Sequence, residues 1–181
     1  MDAIELLEHD HRMVEQLFRD YGSAASPDQK KGVVDITVRE LSKHAALEEL
    51  MVYPLAKQVI PDGAQEIDQH LAEHMTVKKL LVELDGMSPQ DDRMDGLMTE
   101  LERNVAEHIQ EEEHDMLPNL RNHVDQEALD ELGQALDEGK KAAPTRPHPN
   151  APTEPPGLAL AGPVAAIYDR LRDRLQGRPR T

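Results

Sequence analysis

The chain has 181 residues, a length typical of a single domain with a short extension. It contains no cysteine, which excludes disulfide bonds, thiolate metal sites and iron–sulfur clusters. The 36 acidic and 20 basic residues give a net charge of −16, so we expect no binding to nucleic acid or to membrane surfaces.

Neither a signal peptide nor a membrane span is predicted. The amino terminus is acidic, and no apolar run approaches the ~18 residues that a spanning helix needs. We therefore expect a soluble, cytoplasmic protein. With no tryptophan, one phenylalanine and three tyrosines, the core must consist of aliphatic side chains and methionines, which favours packing of helix on helix.

Apolar residues recur at helical spacing in four long segments of the chain. Each segment has one inward stripe, and the stripe of the second includes Val33, Ile36, Val38 and Leu41. Prolines and glycines mark the loops between the segments. The first segment covers residues 2–21, the second begins after Ser26-Pro27, the third covers about 64–84 and the fourth follows Ser88-Pro89.

Four long amphipathic helices with short connections predict an all-α fold, an up-down-up-down four-helix bundle. A fifth, shorter helix at about residues 125–141 is predicted to pack on the outside. The bundle domain would then cover residues 1–141.

The composition changes after residue 141. Residues 142–157 contain six prolines, which predicts a linker without a core of its own. Residues 158–181 have apolar residues at helical spacing and five arginines against two aspartates, which predicts a basic amphipathic tail helix. Such a helix could dock on the acidic bundle, join two subunits in a homodimer, or bind a separate partner or lipid surface.

A histidine and a glutamate recur at the same spacing in the two halves of the bundle. The pairs are His44/Glu48 and His108/Glu112, each with a proline ten residues after the histidine. Each half also has an inward histidine upstream, His11 in the first and His74 in the second, 33 and 34 residues before the paired histidine. The second half adds His70, where the first half has Leu7.

This spacing predicts a metal centre. Side chains four residues apart lie on one face of a helix, so each pair can direct two ligand atoms at one point. Buried histidines and glutamates are costly unless they are paired or bound to a metal. Imidazole and carboxylate ligands without sulfur suit iron, with manganese and zinc as alternatives, and facing helices of a bundle can enclose two ions.

The number of ligands predicts an open coordination position. Two ions of octahedral preference offer about twelve positions. Five histidines, two bridging carboxylates and a bridging oxide or hydroxide leave about one of these open. A small molecule such as oxygen, peroxide or nitric oxide could bind there.

In these segments the chain resembles the hemerythrin and HHE cation-binding family. The resemblance covers roughly residues 1–141 and rests on the Asp10-His11 start, the two His-x-x-x-Glu-Glu segments, the His-x-x-x-His helix and the prolines that follow. It implies two non-haem iron ions joined by an oxide or hydroxide, in a centre that binds oxygen or handles reactive species. Carried over by position, the implied metal ligands are His11, His44, Glu48, His70, His74, His108 and Glu112.

The last carboxylate departs from the pattern of oxygen-carrying hemerythrins, in which an aspartate stands five residues after the histidine. Here that place is Glu113, whereas Glu112 stands at spacing four. Five residues turn about 140° past the histidine and four only about 40°, so Glu112 is the preferred ligand and Glu113 the alternative. Tyr53, next to Pro54, is a further side chain that could line the open position.

Three functions remain open. The centre could bind or sense oxygen, nitric oxide or hydrogen peroxide, it could disproportionate hydrogen peroxide as a catalase-like enzyme, or iron could stabilise a structural or interaction protein. A ferritin-like site is the weaker alternative, because Glu8/His11 and Glu111/His114 fit its Glu-x-x-His pattern without the required glutamate partners. The remaining histidines are expected to face solvent: His9, His114, His123 and His148.

Overall fold

A computed structural model describes residues 1–153, and all regular elements in this range are helical. Two π-helical segments, π1 (Glu48–Val52) and π2 (Glu112–Met116), each continue one α-helix directly into the next. The α-helices are α1 (Ala3–Ser23), α2 (Pro27–Leu47), α3 (Tyr53–Val59), α4 (Gly63–Asp85), α5 (Met94–Glu111), α6 (Leu117–His123) and α7 (Gln126–Lys140).

Side-chain caps fix where several helices begin. Asp2 accepts a hydrogen bond from the Glu5 backbone while the Glu5 carboxylate accepts one from Asp2, which forms a capping box at α1. Ser26 caps α2 just before its first-turn proline, as the sequence predicts. These contacts satisfy backbone donors that have no partner within the helix.

The two π segments lie next to prolines. In each, the first residue accepts a backbone hydrogen bond from a residue five positions later: Glu48 from Tyr53, and Glu112 from Leu117. Pro54 and Pro118 follow at once and have no N–H to donate. The chain therefore stays helical through each proline by means of the wider π turn. Such π segments are frequent at functional sites.

Four helices surround the centre of the molecule. Helix α1 contacts α2 and α5, and α4 contacts the same two helices. One apolar cluster fills the end built from the start of α1, the π segments, α3, α6 and α7, and a second fills the end with the loops after α1 and α4. The predicted metal ligands lie in the layer between the two clusters.

The predicted all-α class is confirmed, and α7 packs against α1 and α2 as the outer fifth helix. The up-down-up-down order and the domain limits stay predictions. Ile36 was expected to face inward but is 40% exposed; Thr37 takes the inward position and its hydroxyl donates to the Val33 carbonyl. The tail helix predicted at 158–181 and the end of the linker lie outside the described residues. Within residues 1–153, no helix is long and apolar enough to cross a membrane.

Candidate metal centre

The seven predicted ligands are all buried. None exposes more than 8% of its surface, and Glu48 and Glu112 are completely enclosed. They come from four α-helices and both π segments: His11 on α1, His44 on α2, Glu48 on π1, His70 and His74 on α4, His108 on α5 and Glu112 on π2.

These side chains form two adjoining groups. In the first, which we call the two-histidine position, atoms of His11, His44, Glu48 and Glu112 all lie within 4.8 Å of one another. The second, the three-histidine position, combines two overlapping groups of the same compactness. They are Glu48/His74/His108 and His70/His108/Glu112. Glu48 and Glu112 belong to both positions, which is the arrangement expected of bridging carboxylates.

The distances show how closely the groups approach. His44 Nε2 lies 3.1 Å from Glu48 Oε1, and His74 Nε2 lies 3.3 Å from Glu48 Oε2. His11 Nε2 lies 3.3 Å from Glu112 Oε2, and His108 Nε2 lies 3.5 Å from Glu112 Oε1. Each glutamate therefore faces histidines of both positions with its two oxygens.

The residues present fit a pair of metal ions. Although the groups are close, several buried atoms at the centre have no hydrogen-bond partner, and such atoms are normally satisfied in proteins. Nitrogen and oxygen atoms that converge without partners are what a metal site requires. They are His11 Nε2, His44 Nε2, His70 Nε2, both oxygens of Glu48 and Glu112 Oε2.

A second layer of acidic residues stands behind the histidines. We call Asp10, Glu49, Glu73 and Glu113 the supporting carboxylates, because one of them faces the Nδ1 atom of every predicted histidine ligand. Such partners orient a metal-bound imidazole and leave Nε2 for the ion. The Nδ1–oxygen distances are 2.8 Å for His11–Glu113, 3.2 Å for His70–Glu73, 3.0 Å for His74–Glu49 and 2.8 Å for His108–Glu73. The fifth pair, His44–Asp10, is 3.6 Å apart, which is longer than a hydrogen bond, and His44 Nδ1 has no hydrogen-bond partner among the described residues.

Three of the supporting carboxylates also pair with a cation. Arg12 pairs with Glu113. Lys78 Nζ lies 2.7 Å from Glu49, and Lys140 Nζ lies 2.6 Å from Asp10. Glu73 accepts hydrogen bonds from His70, His108 and Gln69 instead, and it has no lysine or arginine partner among the described residues.

Tyr53 reaches the three-histidine position. Its hydroxyl donates to Glu112 Oε1 at 2.8 Å and lies 2.9 Å from His74 Nε2 and 3.4 Å from His108 Nε2. Burial, with the charges of Glu112 and Glu48, raises the pKa of Tyr53 well above its ordinary value. The prediction that Tyr53 lines an open coordination position stays a prediction, but its hydroxyl does lie among the predicted ligand atoms.

The protein groups also shift one another's pKa values. Burial alone would lower the pKa of His44, but Glu48 and Asp10 raise it to about 10. Burial likewise opposes charge on His74, whereas Glu48 and Glu49 raise its pKa to about 9. Both imidazoles would have to lose a proton before Nε2 could bind a metal, so metal binding is coupled to proton release.

A small cavity adjoins the centre on the side away from Tyr53. Its volume is about 20 Å³. Four histidines line it, two from each position, together with apolar side chains of the second cluster, such as Val14, Leu41 and Val105. A volume of this size holds about one small molecule.

Residues 2–120 match the hemerythrin HHE cation-binding domain. The chain belongs to this family. It is 31% identical over 173 residues to an uncharacterised hemerythrin-like protein of Schizosaccharomyces pombe, a match that covers 94% of this chain and 84% of that protein. It is also 24% identical over 132 residues to a DNA nickase of Nostoc, which covers 72% of this chain and 37% of the nickase.

A solved structure shares the fold of this hemerythrin-like chain. It is the crystal structure of a hemerythrin HHE cation-binding domain-containing protein from Mycobacterium kansasii. The TM-score is 0.68 at 22% identity, and the match covers 78% of this chain and 86% of the other. At this identity the likeness shows the fold alone.

The alternatives raised by the sequence differ in burial. Glu8 and His114 are exposed, so neither Glu-x-x-His pair builds a ferritin-like site in this hemerythrin-like bundle. Glu112 lies at the centre, whereas Glu113 lies behind His11 and is 27% exposed. The four other histidines are exposed, as expected: His9, His114, His123 and His148.

Sequence reasoning missed the roles of the supporting carboxylates. The repeat nevertheless contains a signal for them, because an acidic residue directly precedes both upstream histidines: Asp10 before His11 and Glu73 before His74. A second glutamate also follows the first in each His-x-x-x-Glu-Glu segment, and these are Glu49 and Glu113. The hemerythrin-like repeat thus includes supporting residues as well as predicted ligands.

Proposed function

We propose that this hemerythrin-like domain holds two non-haem iron ions and binds or senses oxygen, nitric oxide or peroxide. The observation that carries the proposal is the pair of buried positions that share Glu48 and Glu112 and contain unpartnered nitrogen and oxygen atoms. The ligands would be His11, His44, Glu48 and Glu112 at one ion and His70, His74, His108 and both glutamates at the other.

The division of ligands supports an open position at one ion. The three-histidine position has three imidazoles and two carboxylates, so a bridging oxide or hydroxide would complete an octahedron. The two-histidine position has one imidazole fewer and would keep one position free. Iron there would supply the affinity for a small oxygen or nitrogen ligand.

The small cavity beside the centre supports a small ligand. It lies next to His11 and His44 of the two-histidine position and also next to His74 and His108, and its other walls are apolar. Apolar walls favour an uncharged diatomic molecule and disfavour an anion, because a buried charge without a partner is costly.

Disproportionation of hydrogen peroxide is a second candidate, favoured by Tyr53. This reaction turns two peroxide molecules into two waters and one oxygen molecule, and it needs protons to be moved between oxygen atoms. The Tyr53 hydroxyl donates a hydrogen bond to Glu112 and lies among the predicted ligand atoms, so it is placed to exchange a proton with a small molecule held at the centre.

Metal analysis of the purified full chain, combined with a visible spectrum, tests the first proposal. We expect about two irons per chain, with charge-transfer bands that change when oxygen or nitric oxide is added. His44→Ala should lose iron, while His9→Ala, which removes an exposed histidine, should not. A wild-type protein that stays colourless and iron-free after anaerobic reconstitution would contradict the proposal.

Tyr53→Phe distinguishes the two candidates, because it removes only the hydroxyl. If the protein disproportionates peroxide, the wild type should evolve oxygen from hydrogen peroxide and the variant should do so about 10²-fold to 10⁴-fold more slowly, the usual contribution of a proton-transferring group. If the protein binds or senses, the wild type should give a stable adduct without sustained oxygen evolution. Iron content should be the same in both proteins.

A further inference from the structure

Helix α7 lies outside the part of the chain that matches the hemerythrin domain, which ends at residue 120. It nevertheless packs along α1 and α2. Two glycines permit a close approach: a Cβ atom on Gly133 would come within 2.7–2.9 Å of backbone atoms of residues 1–3, and one on Gly139 within 2.7 Å of the Leu47 side chain. The position of α7 is therefore fixed near its middle and near its end.

The last residue of α7 extends towards the metal centre. Lys140 Nζ lies 2.6 Å from Asp10 Oδ1, and the other oxygen of Asp10 lies 3.6 Å from His44 Nδ1. Asp10 is only 5% exposed, and the two contacts are made by its two oxygens. The carboxylate is held between the lysine of α7 and the histidine of the two-histidine position.

The charge of Lys140 matters because Asp10 is buried. A buried carboxylate needs a partner, and one that loses its cation must reorient, take up a proton or admit water. With the ammonium group of Lys140 at one oxygen of Asp10, the other oxygen is left to face His44 Nδ1.

Two other histidines have the same arrangement of a carboxylate backed by a cation. His74 is supported by Glu49 and Lys78, and His11 by Glu113 and Arg12. In these cases the cation comes from the helix of the histidine itself, α4 or α1. For His44 it comes from α7, more than ninety residues further along the chain.

We propose that Lys140 is a positioning residue of the metal centre, which holds Asp10 against His44 so that the Nε2 atom of His44 faces the ion. Helix α7 thereby completes the two-histidine position, although it lies beyond the residues that match the family domain. The inference rests on the proposed function only in requiring that the centre binds metal.

Lys140→Met in the full chain tests this role, with Lys141→Met as the matched control. The two substitutions remove the same charge from adjacent residues, but Lys141 is 66% exposed and pairs with Glu138 on the surface. Anaerobic titration with Co²⁺, followed by its visible absorption, reports the affinity and geometry of each ion. We expect Lys140→Met to weaken one of the two ions by about 10-fold to 100-fold and to change its spectrum, and Lys141→Met to match the wild type.

Two further variants separate positioning from general stability. Lys140→Arg should restore most of the affinity, because it keeps the cation. Asp10→Asn combined with Lys140→Met should be no worse than Asp10→Asn alone, because the lysine acts through that acid. Thermal unfolding without metal shows whether α7 still packs in each variant.

The outcomes are distinct. Equal Co²⁺ affinities for Lys140→Met and Lys141→Met would overturn the role of Lys140 while leaving the proposed function intact. So would weakening of both ions together with a lower unfolding temperature without metal, or additive losses in the double variant. A wild-type protein that binds no Co²⁺ or iron would contradict the proposed function itself, and this inference with it.

Discussion

The first half of the bundle consists of α1, α2 and π1, and the second of α4, α5 and π2. Each half contributes an upstream histidine, a second histidine and a glutamate four residues later. Each half also contributes two of the supporting carboxylates. The equivalent pairs are His11 and His74, His44 and His108, Glu48 and Glu112, Glu49 and Glu113, and Asp10 and Glu73.

Two of these supports cross between the halves. Glu49 of the first half accepts from His74 of the second, and Glu113 of the second accepts from His11 of the first. Neither half could orient its upstream histidine alone. The duplication in the sequence therefore builds one shared centre rather than two independent sites.

The halves differ in the acid that precedes the upstream histidine. Asp10 serves one histidine and is balanced by Lys140, whereas Glu73 serves both His70 and His108. Burial opposes ionisation of Glu73, but hydrogen bonds from His108, Gln69 and His70 lower its pKa to about 2. The extra histidine of the second half thus shares an existing carboxylate. Glu73 therefore orients two of the three imidazoles at the three-histidine position.

The largest effect should come from a glutamate that both positions share. We expect Glu48→Ala to lose both irons, because it removes a ligand atom from each ion at once. Iron analysis of the purified protein measures the result. Glu107→Ala, on an exposed part of α5, is the control and should keep about two irons per chain. If Glu48→Ala kept one iron, the two positions would not share this carboxylate.

A smaller loss is expected from an upstream histidine. His74→Ala should lower the iron content by about one ion, since it leaves the three-histidine position short of a donor. His11→Ala should do the same at the other position, which can be identified by its different spectrum. Unchanged iron content in His74→Ala would remove this residue from the ligand set.

Removing the charge of a supporting carboxylate should weaken metal binding differently at the two positions. Glu73→Gln should weaken the ion at the three-histidine position by about 10-fold to 100-fold, and Asp10→Asn should weaken the ion at the two-histidine position. Glu73→Gln should have the larger effect because two histidines lose their acceptor charge. Co²⁺ titration reports each ion. If both variants weakened the same ion, the assignment of one acid to each position would be wrong.

The smallest effect should be found at Glu113, the more exposed of the two carboxylates that accept from a histidine of the other half. Glu113 is 27% exposed and its partner Arg12 is 52% exposed, whereas Glu49 and Lys78 are buried. Solvent screens the exposed pair. We therefore expect Glu113→Gln to weaken metal binding less than tenfold and less than Glu49→Gln, with a difference that shrinks in high salt only for Glu113. Equal effects would show that exposure does not distinguish the two supports.

Much of the fold and of the candidate site could be predicted, because both depend on local spacing. A period of 3.6 residues marks the helices, and the four-residue interval between His44 and Glu48 places both side chains on one face. The same argument favoured Glu112 over Glu113, and Glu112 indeed lies at the centre while Glu113 is turned away. Their roles as metal ligands remain a proposal.

The remaining features depend on contacts between distant parts of the chain. Glu113 and His11 are 102 residues apart, and no local pattern predicts that they meet. Lys78 is buried against Glu49, which lies 29 residues earlier in the chain, and such a contact also leaves no local pattern. The apolar spacing predicts Ile36 in the inward stripe, yet Thr37 lies there, and its burial is tolerated because its hydroxyl donates to the helix backbone.

The layered interior has a consequence for the order of assembly. The polar layer lies between two apolar clusters, and each cluster consists of its own set of buried apolar side chains. Burial of these clusters can drive the chain to fold before any ion arrives, unlike in zinc fingers, where the metal supplies the folding energy. Iron would then enter a scaffold that already exists. Maturation after synthesis, rather than folding, becomes the step that a scarce supply of iron would delay.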